Sequence, residues 1–171
     1  MFEHLTGYGF SQILVSGPQR AGTRICGKII AADTGYNFVD EMDVVTVRGM
    51  VNRMMQKGNV IQCPGFARFI HIFARERVLV VWMRRPTAEI IASQERVEWT
   101  DEPTERWLYA DAYGDQYSDW PICEIKKHYW NQVQKPQIAN WLEVDYADLA
   151  NHRLWIDPEK RVDFQWNQTE M

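Results

Sequence analysis

Apolar residues in this chain come in short runs, separated by longer stretches in which they recur every three or four positions. The run "ILV" at 13–15 predicts a strand, and "GTRICGKIIAADTG" after it places Ile25, Ile29 and Ile30 at helical spacing, with Gly35 as a stop signal. "YNFVDE" reads as a second short strand and "VVTVRGMVNRMMQKG" as a helix ending at Gly58. "NVIQCPG" is a third strand, halted by Pro64-Gly65, and "FARFIHIFARE" the helix after it. Residues 78–83 are apolar on both faces, the pattern of a parallel strand covered on both sides. "PTAEIIASQERVEW" opens with Pro86, a residue suited to the first turn of a helix. Residues 100–121 break the rhythm and read as acidic, aromatic and irregular. "ICEIKKHYWNQVQKP" is helical again, and "IANWLEVDYADL" supplies a late strand and turn.

Strands alternating with helices predict βαβ units: a three-layer α/β/α domain around a central parallel sheet, spanning residues 1–171 as one unit. Composition narrows this only a little. With 171 residues, 46% hydrophobic and 25% charged, the chain fits one ordinary globular core. A formal net charge of −4 gives no basic face for nucleic acid, so no nucleic-acid partner is expected. Cys26, Cys63 and Cys123 are odd in number and scattered, which fits neither a disulfide framework nor a zinc site. "MFEHLTGYGF" is unlike a signal peptide, and no apolar stretch approaches the roughly 20 residues of a membrane helix. The expectation is a soluble, cytoplasmic protein without a membrane partner; the pattern does not fix its oligomeric state.

Chemistry enters at "SGPQRAGTR". A glycine-bearing turn between a strand and a helix aims several backbone N–H groups at one anion, helped by the helix dipole. Gly17 and Gly22 stand five apart, as in the ATP-binding pattern G-x-x-x-x-G-K-[ST]. The lysine position, however, holds Thr23, and the position whose hydroxyl would hold magnesium holds Arg24, which cannot ligate a cation. Pro18, Gln19, Arg20, Ala21, Gly22, Thr23 and Arg24 therefore read as an anion-binding loop that works without metal.

The segment "PQRAGT" resembles the 5′-phosphosulfate loop of the sulfotransferases, in which a basic residue precedes a small residue, Gly and Thr. Members of that family also carry an Arg at the end of a later strand and a Ser eight residues on, which together hold the 3′-phosphate of the donor. Here residues 78–83 lead into Arg84-Arg85-Pro86, and Ser93 lies eight beyond Arg85. The family's frequent R-x-P would select Arg84; the spacing selects Arg85, with Arg84 as a neighbouring contributor. Ser93 is about two helical turns past Pro86, on the same helix face as that first turn. "WLEVDYADL" is similar to a late strand ending in Tyr-Glu-Asp-Leu. The resemblance spans about residues 13–149. The R-K-G segment of the cytosolic members has no counterpart: "DPEKRVDF" offers Lys160 and Arg161 but no glycine.

The resemblance implies a fold of the P-loop nucleoside triphosphate hydrolase type. It also implies transfer of a sulfuryl group from 3′-phosphoadenosine 5′-phosphosulfate (PAPS) to a hydroxyl or amine of a small-molecule or glycan acceptor, with no metal. Arg20 and the N–H groups of residues 22–24 would serve the leaving phosphate. Some members use a Glu after the second strand as general base; that position offers Glu41 first and Asp40 second, residues that also suit the start of the next helix as caps. His71 falls within an apolar helix and reads as packing. Trp107, Tyr109, Tyr113, Tyr117 and Trp120 form either an acceptor wall or a cover for the sheet edge. Two alternatives stay open: a phosphotransferase or NTPase, because "YNFVDE" ends as a magnesium-holding strand does, and a nucleotide-binding module without chemistry.

Overall fold

A computed structural model describes residues 1–44, 46–99 and 102–155, with the side chains of Glu102 and Asp115 left aside. The basic pair Lys160-Arg161 lies outside the described residues.

Five strands form one parallel sheet: β1 (Gln12–Ser16), β2 (Asn37–Asp40), β3 (Asn59–Gln62), β4 (Val78–Arg84) and β5 (Trp141–Asp145). Their spatial order is β2-β3-β1-β4-β5. β1 sits at the centre, pairing Ile13 with Val60 of β3 and with Leu79 of β4. β1 and β3 are buried throughout and β4 up to Met83, which is why their sequences carry apolar side chains on both faces.

The pleat sorts those side chains into two cores. Ile13, Val15, Leu79, Val81 and Met83 pack with Ile29 and Ile30 of α1 (Thr23–Thr34) and with Ile90. Leu14, Ile61, Val80 and Trp82 face the other way, onto Met50 and Met54 of α2 (Val47–Met54) and onto Ile70, which opens the short α3 (Ile70–Phe73). Helices therefore cover both faces, and the architecture is three-layer α/β/α. Helix α4 (Thr87–Arg96) follows Pro86 as the sequence predicts. Thr46 caps α2, its hydroxyl accepting from the Gly49 N–H at 3.0 Å.

Two regions differ from expectation. "FARFIHIFARE" is not one helix: residues Pro64–Phe69 wind as 3-10 turns and only α3 is α-helical. The Gly65 N–H, in the first turn of this segment, donates to the Glu41 carboxylate at 2.9 Å. The stretch read as irregular contains α5 (Glu102–Trp107), α6 (Ala110–Tyr113) and a 3-10 turn at Gly114–Tyr117. These pack Tyr109 onto Ile122, Ile125 and Tyr129 of α7 (Ile122–Tyr129), a third core separate from the sheet. Helix α7 runs on through a π turn at Trp130–Gln134, which delivers Trp130 against Trp82 with rings stacked at 4.6 Å. Among the described residues, no helix is long and apolar enough to cross a membrane.

Candidate active site

In sheets of this kind ligands bind beyond the carboxyl ends of the strands, where the connections diverge. Here the chain crosses from β3 to β4 over the end of β1, so the segment after Ser16 lies at that point. Gly17 and Gly22 both adopt positive φ, +147° and +96°. At Gly17 a Cβ would come within 3.1 Å of the Met83 carbonyl; at Gly22 it would run into the Tyr146 ring. The loop folds back on itself through the Ala21 N–H donating to the Pro18 carbonyl at 3.0 Å, and Arg20 takes a left-handed conformation at φ +69°. Helix α1 begins at Thr23, with Gly22 at its cap. Its first N–H groups have no carbonyl one turn back, so they and the helix dipole attract an anion.

Basic side chains gather beside this loop. Arg20 Nε donates to Ser93 Oγ at 3.2 Å, and Arg96 Nη2 donates to the same hydroxyl at 3.3 Å. Arg85 Nη1 donates to the Arg20 carbonyl at 2.9 Å, its Nε meets Glu89 at 3.0 Å, and its guanidinium lies 4.0 Å from the centroid of the Tyr146 ring. The structure thus brings Arg20, Arg85 and Ser93 to one place. It does not bring Arg84 there. That side chain turns to β5, where Asp145 binds it at 2.9 and 2.5 Å and Glu143 at 3.4 Å. Arg84 ties two strand ends together.

A second group forms where β2 and β3 end. Gln62 Nε2 donates to the Thr23 hydroxyl at 3.2 Å, while its Oε1 accepts the Glu41 N–H at 3.3 Å. Arg24 Nε lies 2.5 Å from Asp40 Oδ2, and Asp40 Oδ1 accepts the Met42 N–H at 3.1 Å. Asp40 is almost fully buried and both its oxygens are taken up by these partners, so it is poorly placed to meet an acceptor. Glu41 differs. Burial pushes its carboxyl up to about 7, helped by the Asp40 and Glu105 charges and opposed by the Gly65 N–H and the Lys126 charge. A carboxylate poised there can exchange a proton at neutral pH.

The third group escaped the sequence reading. Gln19 Nε2 donates to Glu105 of α5, Lys126 of α7 donates to Gln19 Oε1, and Lys126 Nζ lies 2.5 Å from Glu105 Oε2. The Lys126 side chain is 1% exposed, and burial presses its pKa down. One signal was available. Ile122, Ile125, Lys126 and Tyr129 occupy positions i, i+3, i+4 and i+7, so the lysine stands in the apolar stripe of its helix. The polar Gln62 at the end of a buried strand was a weaker signal of the same kind.

The segment 102–118 adds a cavity of about 350 Å³, lined by Arg106, Trp107, Tyr109, Tyr113, Tyr117 and Ile125 among others. Of the expected aromatic wall, Tyr109 is buried and Trp107 is 74% exposed. Trp120 packs on Tyr117, and both adjoin His128. His71 lies near Gln134, its Nδ1 3.2 Å from the amide nitrogen.

No family model matches the chain, and no curated protein matches it significantly. Among solved structures, shikimate kinase from Acinetobacter baumannii in complex with shikimate superposes with a TM-score of 0.54. The alignment covers 81% of this chain and 87% of that one at 13% sequence identity. The two share a three-layer α/β/α fold around a parallel sheet. At this identity the likeness speaks for the fold alone.

Proposed function

We propose that this P-loop protein is a nucleotide-dependent transferase, which moves a phosphoryl or sulfuryl group to a hydroxyl of a small acceptor. The observation that carries this reading is the convergence of an anion-binding helix start, the Arg20–Ser93–Arg85 group and a carboxyl poised near pH 7 at the ends of β1, β2 and β4. Arg20, Arg85 and the first N–H groups of α1 hold the donor and neutralise charge on the leaving nucleotide. Glu41 takes the acceptor proton as the acceptor oxygen bonds to the transferred phosphorus or sulfur and the bridging oxygen departs with the nucleotide. Aromatic residues lining the 350 Å³ cavity suit a small-molecule or sugar acceptor, within the usual size range of such sites.

Two donors fit. The fold shared with the solved shikimate kinase in complex with shikimate favours ATP as donor and phosphoryl transfer. The residues at the magnesium position favour a donor that needs no metal. Arg24 stands there and pairs with Asp40, while Thr23, at the lysine position, meets a neutral Gln62 amide. PAPS is such a donor, and the spacing of Arg85 and Ser93 suits its 3′-phosphate.

Calorimetric titration of wild type and Arg85→Ala tests both. The two titrants are magnesium-ATP and 3′-phosphoadenosine 5′-phosphate, the spent sulfuryl donor. Binding of either, weakened at least about tenfold in Arg85→Ala, supports the transferase reading. Magnesium-dependent ATP binding selects the kinase; metal-independent binding of the spent donor selects the sulfotransferase. A protein that binds neither nucleotide is not a transferase of this kind.

A further inference from the structure

The phosphate loop has no lysine, yet a buried lysine reaches it from elsewhere. Lys126 belongs to α7, 107 positions along the chain from the loop residue it touches. Its amine closes a three-membered ring with Gln19 of the loop and Glu105 of α5: Gln19 Nε2 donates to one oxygen of Glu105, and Lys126 bonds both Gln19 Oε1 and the other oxygen of Glu105. Removing an ammonium and a carboxylate from water costs several kcal/mol per ion before their attraction is counted, and apolar side chains of similar volume would close the same space without that cost. An ion pair kept at the edge of a phosphate loop therefore calls for a reason beyond packing.

Two observations supply one. The amine is already hydrogen-bonded to the side chain of Gln19, a residue of the loop in which a phosphate or sulfate would seat. Its charge is also felt by Glu41, where it favours the carboxylate. Lys126 thus touches the loop that would hold the donor and acts on the charge of the carboxyl that would serve the acceptor.

We propose that Lys126 is the cation for the transferred group, supplied by helix α7 in place of the missing loop lysine, with Glu105 holding the amine ready until donor arrives. This rests on the transferase reading above. When the donor's terminal group enters the loop, its oxygens replace the Glu105 carboxylate as partners of the amine. Glu105 is then a positioning residue, acting through Lys126. Because α5 and α7 carry the two halves of the pair, donor binding also changes how α5 is held over the loop.

Paired nucleotides that differ only in the transferable group test this without knowledge of the acceptor: ATP against ADP, each with magnesium, and PAPS against 3′-phosphoadenosine 5′-phosphate. Whichever pair wild type binds, Lys126→Met is expected to weaken the complete donor at least about tenfold while leaving the spent nucleotide within about threefold. Lys126→Arg is expected to restore most of the difference. Glu105→Gln retains the amine and removes its competitor, so it is expected to tighten the complete donor and leave the spent one unchanged; it also covers the case in which Lys126→Met does not fold. Equal weakening of both nucleotides in Lys126→Met and Glu105→Gln would mean a latch that only shapes the loop, and would overturn the assignment. If wild type binds neither pair, the transferase reading itself falls, and this assignment with it.

Discussion

Tyr146, the first residue after β5, presses the Cδ2–Cε2 edge of its ring against Gly22, the last residue before α1, leaving no room for a Cβ between them. Gly22 also sits at φ +96°, where an L side chain is strained. Gly22→Ala is therefore expected to cost roughly 2–4 kcal/mol, combining left-handed strain with the ring overlap. Tyr146→Ala in the same chain removes the overlap and leaves the strain, so the double variant should recover part of the loss. Urea unfolding of the three variants measures this; an additive double variant would show that the ring does not confine the glycine.

Glu41 makes the protein's stability depend on pH in an unusual direction. Its folded carboxyl titrates near 7 against an ordinary value of 4.5. Below about pH 4.5 folded and unfolded states both hold the proton, and this residue adds no pH dependence. Between 4.5 and 7 the folded state keeps a proton that the unfolded state has lost, so stability from this group falls as pH rises, by about 3 kcal/mol in total. Glu41→Gln should match wild type near pH 4.5, exceed it in stability at pH 8, and lose group transfer at both. Denaturant melts at the two pH values are the check.

The Arg24–Asp40 pair joins a half-exposed guanidinium to a carboxylate that is 2% exposed. Arg24→Ala leaves that carboxylate buried with only the Met42 N–H for a partner, whereas Asp40→Asn removes the charge itself. The double variant should be less destabilised than the sum of the singles, with a coupling of about 1–3 kcal/mol. A coupling near zero would mean that solvent already satisfies Asp40.

Trp82 and Trp130 stack with planes 1° apart, both rings buried, and Trp130 Nε1 donates to Glu143 at 2.9 Å. Rings held this closely should give an exciton-coupled band in circular dichroism, abolished by Trp130→Phe or Trp82→Phe. Trp130→Phe should also cost roughly 1–3 kcal/mol, from the lost donor and the smaller ring. A spectrum unchanged by either substitution would mean that the rings do not stack in solution.

Much of the fold was written locally. Residues 78–83 announce a doubly covered strand because both faces are apolar, and Gly17 and Gly22 mark a loop that only positive φ can build. The choice of Arg85 over Arg84 came from a spacing. The structure adds the physical reason: Arg84 still belongs to the strand and is drawn to the neighbouring Asp145, while Arg85 is the first residue free to turn toward the loop. Helix α5 and the third core were not legible, because their side chains pack on α7 and not on the sheet, so they carry no period set by the main core. Glu105 and Lys126 escaped for a related reason. A charged residue looks solvated until its partner is known, and here the partners come from three distant segments.

The ring of Gln19, Glu105 and Lys126 has a consequence for how this loop can change over evolutionary time. A substitution at position 19 alone strands a buried ion pair, and a substitution at 105 or 126 alone strands a buried charge. The three positions are therefore coupled in stability. Grafting a lysine-bearing loop from another protein onto this scaffold would thus fail until the helical half was altered to match.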